Sequence, residues 1–87
     1  MFNEENFIKV GKITNFFSRI NVAVVELSAP LAVNEYIAIK GPRTDFEQRV
    51  ESIQIEHKNI TKGAAGQSIG LKVASRVRAN DVVYKKR

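Results

Sequence analysis

The chain has 87 residues, no cysteine, one histidine, and fourteen Lys and Arg against nine Asp and Glu, a net charge of +5. Without cysteine there are no disulfides, no thiolate metal sites and no cysteine nucleophile. The length suits one small domain, expected to span 1–87, with 1–6 frayed and 85–87 a basic tail. No apolar run approaches the ~20 residues a membrane helix needs. The acidic start, Glu4-Glu5, is unlike a basic export signal, so the expected compartment is the cytoplasm.

In chain order, Phe7–Ile13 reads as the first strand, and Val22–Leu27, rich in β-branched residues, as the second. Ser28-Ala29-Pro30-Leu31 is a broken connection, because proline cannot extend a strand within a sheet. Tyr36–Lys40 is a third strand that stops at Gly41-Pro42. Gln48–His57 is a fourth. Its Ile53 and Ile55 share one face and Val50 is out of phase with them, which suggests a β-bulge between Val50 and Ile53. Ser68–Val73 and Asp81–Lys85 complete a set of six, with Ser75–Asn80 a loop between them. Six short strands and no long helix predict an all-β fold, a small antiparallel-rich barrel or sandwich, with the barrel the expectation.

Several phrases in this order resemble the β-barrel second domain of translational GTPases of the elongation factor Tu type. They are Val10-Gly11-Lys12-Ile13, the Val22–Leu27 run, Leu31–Ile37, Val50–Gln54, Ala64–Leu71 and Ala79–Val83. Asn34-Glu35 stand where that family usually has glycine and aspartate, and Asn80 where glycine is common; asparagine tolerates the positive φ such turns use. Phe16–Ile20, Lys40–Gln48, Ile53–His57 and Val77–Asp81 are similar to short, free-standing elongation-factor-like proteins. Gly41-Pro42 and Val82–Lys85 also resemble the C-terminal barrel of U32 peptidases. The resemblance implies a six-stranded closed barrel of Greek-key topology, and a role in contacting tRNA or ribosomal RNA.

The residues themselves offer little catalytic chemistry. Gly63-Ala64-Ala65-Gly66-Gln67-Ser68 has neither the spacing nor the lysine of a phosphate-cradling loop, so GTP hydrolysis is not expected. His57 stands alone, which excludes a paired-histidine metal site. A Ser–His–Asp arrangement through Asp45 or Asp81 lacks a nucleophile elbow. No enzyme activity, cofactor or metal is expected.

Binding is the expected role. Up to His57 there are six basic and eight acidic residues, and from Lys58 onward eight basic and one acidic. Such asymmetry points to a polyanion partner. Lys58, Lys62, Lys72, Arg76 and Arg78 are the candidate phosphate contacts. Phe16 and Phe17, adjacent and therefore on opposite faces of a strand, offer one core residue and one candidate base-stacking surface. In Thr44–Gln48, Phe46 is expected to plug the core while Asp45 or Gln48 bonds loop backbone. The leading expectation is a non-catalytic module binding RNA or a ribonucleoprotein linked to translation. The alternative is a protein-interaction module that docks on a larger enzyme or complex. Monomer and homodimer both stay open, and a ligand pocket near His57 is a third reading.

Overall fold

The computed structural model describes residues 4–87, so the part of the predicted frayed N-terminus in residues 1–3 lies outside the described residues. Glu4–Asn6 form a single 3₁₀ turn, closed against the other end of the chain by the Arg87 N–H donating to the Asn6 carbonyl at 2.8 Å. Ten strands follow: β1 (Phe7–Phe17), β2 (Val22–Leu27), β3 (Leu31–Ala32), β4 (Tyr36–Gly41), β5 (Thr44–Arg49), β6 (Ile53–Ile55), β7 (Lys58–Ile60), β8 (Lys62–Gly63), β9 (Ser68–Lys72) and β10 (Val82–Lys86). There is no α-helix among the described residues.

Eight strands form one antiparallel sheet in the order β5-β4-β10-β1-β2-β9-β6-β7, and β3 pairs with β8 apart from it. The all-β expectation holds, but the sheet is not closed: β5 and β7 are its ends, and no ladder joins them. Strand β1 carries the curvature. Its register slips between Lys9 and Gly11 against β10, and between Ile13 and Asn15 against β2. Each extra residue bends the strand and increases its twist, so one long strand wraps the core. Val10, Ile13, Val25, Ile39, Ile53, Leu71 and Val83 point inward and are fully or almost fully buried, which places the core inside the curl.

The differences from the sequence reading have local causes. Gly41-Pro42 ends β4 in a tight two-residue turn, with Gly41 paired to Thr44, and the chain returns at once as β5. Proline suits the first central position of such a turn because its φ is preset. Thr44–Arg49 is thus a strand and not a loop. Val50 is out of phase with Ile53 because the chain leaves β5 there, not because of a bulge. Its N–H donates to the Glu35 carbonyl at 2.8 Å, and its own carbonyl accepts from Asn34 N–H at 2.9 Å. Glu56 and His57 form the turn between β6 and β7, so the predicted fourth strand is the end of β5 plus β6. Asn34 and Asn80 both have φ of 77°, the left-handed geometry expected of the residues standing in place of glycine.

Lys85 and Lys86 belong to β10 and are not a free tail. The Lys85 ammonium donates to the Pro30 carbonyl at 3.0 Å and lies 3.4 Å from a Glu35 carboxylate oxygen. The other Glu35 oxygen accepts from Ala32 N–H at 2.7 Å. This lysine therefore ties β10 to the connection around β3.

Candidate interaction surface

Strands β1 and β2 form a hairpin that pairs Phe16 with Ala23 and Phe17 with Val22. Its tip, Ser18–Asn21, closes with Asn21 at φ 54° and with Ile20 N–H donating to the Phe17 carbonyl at 3.3 Å. Because side chains alternate across a strand, Phe16 and Phe17 are directed to opposite faces. Phe16 is half-buried and packs against the core. Phe17 stays 48% exposed and Ile20 57% exposed, the large apolar residues most open to water among those described.

The register extends this apolar surface across the sheet. Val22 pairs with Lys72, and Val24 pairs with Gly70, which in turn pairs with Gln54. Val22 and Val24 face outward and are half-buried. Gly70 contributes no side chain, so the sheet is bare at that point and a groove forms over it. One cleft of about 340 Å³ lies between Phe17, Ile20, Val22 and Val24 on one side and Gln54, Glu56 and His57 on the other, with Gly70 beneath. It merges with a second cleft of about 500 Å³ that shares Ile20, Val22, Gln54 and Gly70 and adds Glu51, Ser52 and Lys72.

Both central residues of the β6–β7 turn are left-handed, with φ of 50° at Glu56 and 66° at His57. Ile55 pairs with Lys58 across them, so the turn has two residues. Asparagine and glycine are the residues preferred in such a turn; histidine enters the left-handed region more readily than most residues, and glutamate does not. Non-glycine residues held in such conformations concentrate at functional sites. Nothing in the sequence alone marked the turn, because Glu56-His57-Lys58 read as a polar strand end.

The predicted basic set is not gathered into one groove. Lys58 lies in β7 at the free end of the large sheet, and Lys62 pairs with Ala32 in the small one. Lys72 faces outward as expected, but its ammonium donates to the Ile20 carbonyl at 2.9 Å and braces the hairpin tip. Arg76 is exposed in the loop before β10, whereas Arg78 is half-buried and its N–H donates to Asp81 Oδ2 at 2.8 Å. Asp81 itself is buried and fills the space above Gly41, and Asp45 is paired with Lys40. Neither aspartate lines the cleft that holds His57, so the structure assembles no triad there. No group of three His, Cys, Asp or Glu side chains suited to a metal occurs among the described residues.

No family model matches the chain. In sequence it is 36% identical over 78 residues to an uncharacterized protease of Methanocaldococcus jannaschii, covering 88% of this chain and 19% of that protein. It is 39% identical over 80 residues to a collagenase of Porphyromonas gingivalis, covering 90% of this chain and 19% of that protein. The chain thus spans about a fifth of the length of the curated relatives it matches. In fold it is similar to the C-terminal domain of a protein of Geobacillus thermoleovorans classed with the U32 peptidases, with a TM-score of 0.84 at 17% identity over 100% of this chain and 99% of that one. The selenomethionine variant of the same domain matches with a TM-score of 0.83 at 16% identity over 87% and 96%. These findings overturn the translation-factor resemblance and the translation-linked RNA-binding role drawn from it, since the relatives carry the names protease and collagenase. Catalysis is not shown by this chain, which matches only a small part of them. What the comparisons support is a similarity to the C-terminal domain of U32 peptidases.

Proposed function

We propose that this chain is a non-catalytic docking module that packs against a larger enzyme of the U32 peptidase type through the outer face of the β1–β2 hairpin. The observation that carries this reading is the exposure of Phe17 and Ile20 side by side at the hairpin tip, continuous with Val22 and Val24. A sheet face that is apolar at its most projecting point gains by being covered, at roughly 25 cal/mol per Å² of apolar surface removed from water. Aromatic anchors of this kind carry a large share of binding energy in protein interfaces. The sequence relatives support the choice of partner, because this chain aligns over nearly its whole length with a minor part of proteins named for proteolysis.

The test is association with the catalytic portion of such an enzyme, after nuclease treatment and across a range of salt. Binding should persist in both conditions and be lost in the Phe17→Ser/Ile20→Ser double variant, with an unchanged circular dichroism spectrum. Association that vanishes with nuclease, or that is indifferent to both substitutions, would refute the proposal.

A further inference from the structure

The two halves of the groove over Gly70 differ in charge. The larger half holds Glu51 and Lys72, one acid and one base. The smaller half is walled by Phe17, Ile20, Val22 and Val24, and its charged residue is Glu56, beside His57. Glu56 is exposed and makes no hydrogen bond or ion pair among the described residues. The left-handed turn holds this carboxylate at the mouth of an apolar cleft, on a chain whose net charge is +5.

We propose that the smaller half of the groove receives one apolar side chain over Gly70 together with a lysine or arginine of the same partner segment, paired with Glu56. This rests on the docking reading above and specifies the chemistry of the partner. In an extended segment, residues two apart lie on one face about 7 Å from each other, so a leucine, isoleucine or phenylalanine next but one to a basic residue meets both requirements. Exposed ion pairs contribute little, but a pair shielded by a docked apolar side chain is stronger and selects against the wrong charge. The selectivity is diagnostic, because the overall charge of the chain favours acidic partners.

The experiment uses the isotope-labelled full chain and three capped hexapeptides. The first has leucine and lysine two positions apart, the second replaces the lysine by glutamate, and the third replaces the leucine by serine. Amide signals of Val24, Gly70, Gln54 and His57 should shift saturably with the leucine–lysine peptide, and at least tenfold more weakly with the other two. The Glu56→Asn variant, which suits the positive φ of its position, should fold normally and lose the preference for lysine over glutamate. Gly70→Ala adds a methyl group whose nearest neighbour is Val22 Cγ1 at 3.3 Å, so it raises the floor of the groove and should weaken the leucine–lysine peptide.

Equal shifts from the lysine and glutamate peptides, or unaltered preference in Glu56→Asn, overturn the proposal. So do shifts of the same amides on raising the protein concentration without peptide, which would make a second copy the occupant. If the enzyme docks and the Phe17/Ile20 variant does not, yet the peptides show no charge preference, this proposal alone fails. Peptide selectivity without any docking on the enzyme would instead remove the docking reading and keep the groove's preference for an apolar–basic segment.

Discussion

The side-chain amide of Gln48, on β5, spans the gap between β5 and β9: its Oε1 accepts from the Ala74 N–H at 2.7 Å. Its Nε2 donates to the Lys72 carbonyl at 3.0 Å. Strand β6 pairs with β9 only at Leu71 and Gly70, so the backbone groups beyond Leu71 have no strand partner on that side. One glutamine side chain therefore links strands that share no ladder, and the curled sheet is held together across its opening without being closed.

Replacing Gln48 by alanine should destabilise the fold by about 1 kcal/mol, since water reaches these exposed groups and replaces part of what is lost. Gln48→Glu keeps the acceptor for Ala74 but removes the donor to Lys72, and should cost a similar amount. Urea denaturation of both variants measures this. An unchanged midpoint in both would show that the link has no energetic role.

Gly41 and Asp81 form a second dependence. A Cβ on Gly41 would collide with the Asp81 carboxylate, which is buried and accepts from Arg78 N–H. Gly41→Ala should therefore cost about 1–3 kcal/mol, the range for leaving a buried polar group without its partner. In the Gly41→Ala/Asp81→Ala double variant the collision is gone, and the loss should be smaller than the sum of the two single losses. Strict additivity in thermal or urea unfolding would show that the two residues are uncoupled.

The Glu56-His57 turn predicts a conflict between stability and binding. Glu56→Asn/His57→Gly places the preferred residue pair in the left-handed positions. The double variant should be more stable by about 1 kcal/mol, the relief of left-handed strain at two residues less the entropic cost of the new glycine. It should also bind the enzyme partner more weakly, because the carboxylate and the imidazole that line the cleft are both removed. A parallel gain or loss in both properties contradicts this.

Tyr36 gives a pH-dependent prediction. Its phenol is held above the ordinary tyrosine value of 10.0, first by its hydrogen bond to Glu47, then by burial and the Glu47 charge, with Arg49 opposing. The folded pKa exceeds the unfolded one, so the stabilisation is complete below pH 10 and is lost as the pH rises through the folded value. In Glu47→Gln the phenolate absorbance of Tyr36 should appear at lower pH than in the parent chain. A midpoint unaffected by the substitution would mean that Glu47 does not hold the proton.

Much of the fold was legible in the chain because it depends on local rules. A β-branched run located Val22–Leu27, the Gly41-Pro42 break bounded Tyr36–Lys40, period-two alternation located Ser68–Val73, and adjacency alone required that one of Phe16 and Phe17 leave the core. The backbone role expected of Asp45 or Gln48 belongs to Gln48. Asn34 and Asn80 adopt the left-handed geometry that their place in the phrase order suggested. Residues 44–47 do not read as strand because Thr44 and Asp45 are turn-type residues, and their pairing with β4 overrides that preference.

The charge pattern depends on strand order in the same way. Lys58, Lys62, Lys72, Arg76 and Arg78 are grouped along the chain, but strand order distributes them over two sheets and a loop. By itself, the sequence determined an all-β chain with a small apolar core, because burial and alternation are local properties of residue order. The tertiary structure decided that the sheet stays open, that Lys72 braces the hairpin, and that Phe17, Gly70 and Glu56 share one groove. Those outcomes depend on register between strands far apart in the sequence, such as Val22 with Lys72 and Phe7 with Lys86, and no local pattern encodes that register.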